Sequence, residues 1–205
     1  MKQPLSRSWW LLVLCGLLEG VVGLMNLIMG DPSGSVLLRK FAVESTVVFQ
    51  GKFALAAGAC GLAAAIVMAL KHKSWLLALN GLALVAYGLV SIFWSRGRLA
   101  FLPVALLFVV MALSLGMFAL AFIPSLHQGA EKWLLCLCGV LSIGFGLAFL
   151  ALGYRLIGFH GPGSYFVWSS SYFGFSAISM LALGLFLHRR QARLSISGNG
   201  ALCAG

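Results

Sequence analysis

Glu19 and Lys52 are the residues whose chemistry stands out most against their surroundings. Glu19, in "CGLLEGVVGL" (15–24), is one of only four acidic residues in the chain and sits in the middle of an apolar run from Trp9 to Met29. An ionised carboxylate near the centre of a membrane helix costs at least ~2.5 kcal/mol on insertion scales, so something must offset it. Lys52, in "QGKFALAA", places the opposite charge in the next apolar segment. One reading is a static intramembrane ion pair between Glu19 and Lys52 that fixes the packing of the first two helices. A second is a proton-responsive Glu19 that faces a wet interior and titrates in acid, and a third is a lipid-facing or protonated bystander. The pair is the favoured reading, provided that Lys52 lies deep in its helix instead of snorkelling to the outer interface.

Other polar groups are sparse. Glu44 is expected at the lipid interface, with Gln50 extending a polar stripe toward Lys52, while Asn26 and Asn80 read as interhelical hydrogen-bond glue. His72, His127, His160 and His188 fall at helix ends or in loops; His160, in "GFHGPGSY", would be the acid-sensitive one on the outer side. Asp31 and Glu131 are expected in loops. Cys15, Cys60, Cys136, Cys138 and Cys203 show no CxxC and no histidine at ligand spacing, and read as small apolar side chains. No Ser/His/Asp set, paired catalytic carboxylates or metal-ligand spacing is present, so neither an enzyme nor a cofactor or metal is expected.

The elements that must position these residues follow from composition. The chain has 205 residues, 61% of them hydrophobic and 9% charged, with a mean hydropathy of +1.04, which excludes an ordinary soluble domain. Runs of about 20 apolar residues match a ~30 Å hydrocarbon core. Six spans are predicted at 9–29, 42–68, 75–94, 99–123, 133–153 and 165–187. Residues 1–8 would be a cytoplasmic N-terminus, 9–190 one membrane domain and 191–205 a flexible tail. The start, "MKQPLSRSWWLLVLCGLL", is expected to be an uncleaved first helix.

The formal charge of +10 is spread over helix ends, which argues against nucleic acid as a partner. Lys2, Arg7, Lys71, Lys73, Lys132, Arg189, Arg190 and Arg193 fall on one side of the spans, and Arg39, Lys40, Arg96, Arg98 and Arg155 on the other. The positive-inside rule then puts both termini in the cytoplasm.

An internal repeat organises the chain. "WLLVLCGLLEGVVGL" from Trp10, "WLLALNGLALVAYGL" from Trp75 and "WLLCLCGVLSIGFGL" from Trp133 align without gaps. Glycine recurs at +6 (Gly16, Gly81, Gly139), at +13 (Gly23, Gly88, Gly146) and at +41 (Gly51, Gly116, Gly174). From the glycine frequency, a triple match at one offset has a chance of roughly 0.002, yet three occur. The repeats cover about 9–70, 74–123 and 132–190. They predict an all-α membrane protein of six helices arranged as three parallel hairpins around a pseudo-threefold axis through the glycine faces of helices 1, 3 and 5. Glycines seven apart return to one helix face and allow close backbone approach. Trp10, Trp75 and Trp133 would anchor the cytoplasmic interface. The repeat equivalents of Glu19 are Leu84 and Ser142, so the acid is not part of the repeat.

This pattern of Trp-Leu-Leu, Gly at +6 and Gly-Leu at +13 over paired helices resembles the HdeD-like acid-resistance membrane proteins, from about Ser8 to Arg190, including the closing "HRR" at 188–190. The resemblance implies a multi-pass protein of the bacterial inner membrane that acts in acid or envelope stress without catalysis, and it carries over no catalytic residues. The alternatives are a small-solute or proton-coupled transporter or channel using Glu19, and a structural or partner-binding subunit. The expected partners are the lipid bilayer and either a second copy or another membrane protein.

Overall fold

Lipid offers the backbone no hydrogen bonds, so an apolar run of membrane length closes its own ladder as a helix. The structure, a computed structural model, describes residues 9–29, 36–68, 74–94, 101–125, 129–153 and 162–202. Six helices result: α1 Trp9–Met29, α2 Val36–Met68, α3 Ser74–Trp94, α4 Phe101–Phe122, α5 Gly129–Ala148 and α6 Pro162–Leu202. A 3-10 turn, Ile123–Ser125, follows α4, and a π-helical turn, Phe149–Gly153, ends α5. Among the described residues, five helices are long and apolar enough to cross a membrane. This is the architecture of a multi-pass membrane protein.

Several boundaries differ from expectation: α2 begins at Val36 where a start at 42 was expected. Glu131 falls inside α5 instead of in a loop. Past Arg190, where a flexible tail was expected, α6 stays helical to Leu202. A helix already nucleated in the membrane extends at little further cost, because each added residue closes one more bond.

Close approach of backbones fixes which helices pair. A Cβ on Gly88 would lie 2.7 Å from the Gly51 carbonyl oxygen, and one on Gly58 would lie 2.7 Å from that of Gly81, so α2 and α3 run antiparallel with glycine against glycine. Gly16 meets the Ala177 carbonyl at 2.9 Å and Gly23 meets the Gly174 nitrogen at 3.1 Å, joining α1 to α6. Gly116 meets the Gly139 carbonyl at 2.8 Å, and Gly146 meets Ala112, joining α4 to α5. The glycine strips of α1, α3 and α5 are therefore used against α6, α2 and α4, not against one another around a shared axis. The strip announces a close neighbour; only packing selects it.

α1, α3 and α5 all start at one face of the bundle, here the Trp9 face, and end at the other, the Met29 face. The interior divides along this axis. Toward the Trp9 face, Leu12, Met68, Leu77, Phe118, Leu135, Met180 and Leu183 belong to one apolar core. Toward the Met29 face, Val22, Ala54, Tyr87, Phe108, Phe149, Tyr172 and Phe173 form a second, rich in aromatic rings. Phe108 stacks edge-on against Tyr172 and Phe173 with centroids 5.6 and 5.7 Å away. α5 meets α6 through only a small interface, where Phe145 and Phe149 reach across to Trp168.

Candidate functional site

One stripe of α1 turns its polar residues inward. Cys15, Glu19, Val22 and Asn26 recur at helical spacing on one face, and all four are buried. Glu19, at 1% exposure, is as enclosed as Leu84 and Ser142, the residues at the same repeat position in α3 and α5. The fold thus makes this position an interior one in all three places, and only here does the sequence fill it with an acid.

The Cys15 thiol lies 3.5 Å from Glu19 Oε1 and 3.4 Å from the Ala57 carbonyl oxygen on α2. From α6, Ser176 and Tyr172 adjoin the carboxyl. Ser176 closes no hydrogen bond of ordinary geometry with it: Glu19 Oε2 and Ser176 Oγ are both without a partner among the described residues.

The expected ion pair is not formed. With Cys15 against Ala57 on antiparallel helices, Glu19 stands at about the level of Phe53, so Lys52 does lie at a matching depth. Its direction is wrong. Lys52 is exposed, and its ammonium sits 5.2 Å from the centroid of Phe49, a ring that is 54% exposed. Gly51, one residue earlier, packs on α3; a single step rotates about 100° around the helix, which turns Lys52 out toward lipid.

Gln50 is buried instead of leading toward Lys52, and its Nε2 donates to the Tyr87 hydroxyl on α3. Asn80 joins α3 to α4, accepting at 3.4 Å from the Ser114 hydroxyl. Asn26 donates to its own helix, at Val22 O, 3.1 Å away. On α5, Ser142 donates to Ala112 O of α4 at 2.8 Å.

Trp10, Trp75 and Trp133 are 51%, 60% and 75% exposed, all near the Trp9 face. Of the glycines in the repeat, Gly174 differs: a Cβ there would meet nothing within 4 Å, although Gly23 approaches its backbone. His188 is exposed and packs at a tilt against Trp9, with centroids 4.4 Å apart. His72, His127, His160, Asp31, Cys203 and the side chains of Glu44 and Glu131 lie outside the described residues.

Sequence reasoning missed Gly58, Ser176, Tyr172 and Tyr87. Gly58 follows Gly51 by seven, the spacing already recognised in α1, and could have been found by it. The serine and tyrosines carry no such signal in an apolar helix.

Chemically, the cluster of Glu19, Cys15, Ser176 and Tyr172 can take up and release one proton. Among the described residues, no three His, Cys, Asp or Glu side chains come together as metal ligands would. No protein-family model, no curated protein and no solved structure matches the chain.

Proposed function

We propose that this chain is a membrane protein of three helical-hairpin repeats that responds to acid without catalysing a reaction, with Glu19 as its proton-binding group. The observation that carries this reading is the enclosure of Glu19 at mid-span while Lys52, its one nearby cation in sequence, is turned to lipid. A carboxyl in that position is tolerated as the neutral acid. As a carboxylate it needs solvation, at a cost of about 2.5–3.5 kcal/mol. That difference is enough to shift a two-state packing equilibrium roughly a hundredfold.

The hairpin repeat is supported by recurrence of the same glycine register in two helix pairs, Gly51 with Gly88 and Gly174 with Gly23. The bacterial inner membrane, cytoplasmic termini and a role in acid stress rest on the distribution of basic residues and on the HdeD-like spacing of tryptophan and glycine.

The test is Glu19→Gln, followed for both folding and acid survival. Lowered survival with unchanged thermal stability is expected; normal survival of cells carrying a folded E19Q protein overturns the reading. A partner-binding subunit is the second reading. The apolar core toward the Trp9 face favours it, since among the described residues that core offers no continuous polar path for a transported solute. Liposomes holding the purified protein should accordingly show no added solute permeability.

A further inference from the structure

Five buried side-chain oxygens have no hydrogen-bond partner among the described residues: Glu19 Oε2, Asn26 Oδ1, Gln50 Oε1, Ser169 Oγ and Ser176 Oγ. Each belongs to a residue at most 2% exposed. All five lie on α1, α2 or α6. Elsewhere, the buried polar groups Ser91, Ser114 and Ser142 each donate to a carbonyl oxygen, and Asn80 accepts from Ser114.

Their heights coincide as well. The contacts of Gly16 with Leu181 and of Gly23 with Gly174 set the α1–α6 register, placing Ser176 level with about Val21 and Ser169 level with about Ile28. The contact of Cys15 with Ala57 places Gln50 near the level of Val22. Every unpartnered oxygen therefore stands at or beyond Glu19 toward the Met29 face, over a rise of about 14 Å. On the other side of Glu19, the same helices present Leu11, Leu12, Ala64, Ala65, Met68, Met180, Leu183 and Leu187, all buried and apolar.

Buried polar atoms are nearly always satisfied, and where protein supplies no partner the partner is water, which itself makes about three hydrogen bonds. We propose that a file of waters enters between α1, α2 and α6 from the Met29 face, is held by Ser169, Asn26 and Gln50, and ends at Glu19 and Ser176. Glu19 then exchanges its proton with that face alone. The apolar core below it blocks exchange with the Trp9 face, so the arrangement reports the acidity of one compartment and does not conduct.

Besides Glu19, the titratable groups of this region are Cys15 on α1, Cys60 on α2, Tyr87 on α3, which bonds Gln50, and Tyr172 on α6; Lys52 of α2 points away. This inference rests on the reading of Glu19 as a proton-binding group.

The experiment uses the full chain in proteoliposomes of one orientation, established by protease access to the basic segment at 189–193. The infrared band of a protonated carboxyl is followed while one side at a time is acidified, and Glu19→Gln assigns the band by removing it. Acid at the Met29 face should raise the band, and acid at the Trp9 face should leave it unchanged. Asn26→Leu should slow the response about tenfold, the equivalent of one ~1.4 kcal/mol hydrogen bond, with the final amplitude kept. Asn26→Ser, which retains an oxygen, should keep the original rate. A response to the Trp9 face, or to both faces, overturns the one-sided file and leaves Glu19 as a proton-binding group. A band that responds to neither face overturns that underlying reading and this inference with it. If Asn26→Leu does not fold, the two-sided comparison on the unaltered chain decides alone.

Discussion

Where α2 meets α3, glycine faces glycine twice, and a Cβ on Gly51, Gly58, Gly81 or Gly88 would lie 2.7–3.0 Å from a backbone atom or side chain of the other helix. Where α1 meets α6, the same repeat positions are used with a different outcome. Gly16 and Gly23 are closed against α6, but a Cβ on Gly20 would meet Ala177 at an ordinary 3.6 Å, and one on Gly174 would meet nothing within 4 Å. The first seam brings its backbones together at all four glycines and holds one polar pair, Gln50 with Tyr87, beside them. The second leaves a layer in which Glu19, Ser176 and Tyr172 gather. The register thus comes from the repeat, whereas room for the buried acid comes from local relaxation of one seam. The α4–α5 seam departs in another way: Gly116 faces Gly139 where the equivalent match would be Gly146, a slip of two helical turns.

Substitutions can break this contrast, beginning with the largest effect. Gly58→Leu or Gly88→Leu drives a side chain into the opposing backbone and should cost more than ~3 kcal/mol, seen as loss of the monodisperse folded protein in detergent. Glu19→Leu removes a buried acid that no cation neutralises and should raise stability by about 2.5 kcal/mol in a denaturation series at alkaline pH, where the acid is ionised, and by much less in acid, where it is neutral. A drop instead would show that the acid holds α1 to α6.

Gly16→Ala, with its Cβ 2.9 Å from the Ala177 carbonyl, should cost about 1–2 kcal/mol. Gly20→Ala and Gly174→Ala should fall within about 0.5 kcal/mol of the parent. If Gly174→Ala costs as much as Gly16→Ala, the two seams are equally tight and the comparison fails. Lys52→Met, finally, should leave the melting curve where it was; a shift would revive the ion pair.

Helix positions were legible because length and hydropathy act through one physical demand, the closing of backbone hydrogen bonds in lipid. The observed start and end of α1, Trp9 and Met29, coincide with the expected span. Close packing at Gly16, Gly23, Gly81 and Gly88 was legible for a related reason, since spacing by seven fixes a face. The identity of the partner helix was not, because a smooth face fits any smooth face.

Lys52 shows the same limit in another coordinate. Its depth could be counted along the chain, but its direction depended on which way Gly51 turned. Ser176 and Tyr172 were out of reach because a hydroxyl on an apolar helix can bond its own backbone or face inward, as Ser179 and Ser176 respectively do. The unpartnered oxygens could be recognised only after α1, α2 and α6 had been placed together.

Pairing of α1 with α6 also has a consequence for biogenesis. α1 leaves the ribosome well ahead of α6, the helix against which its glycines close. At ordinary synthesis rates, Glu19 reaches the bilayer roughly 10–30 s before Ser176 and Tyr172. During that interval α2 alone flanks it, and the acid confronts acyl chains. A nascent chain that stalls before α6 therefore displays an unshielded intramembrane carboxyl, a chemical mark that separates the unfinished protein from the finished one.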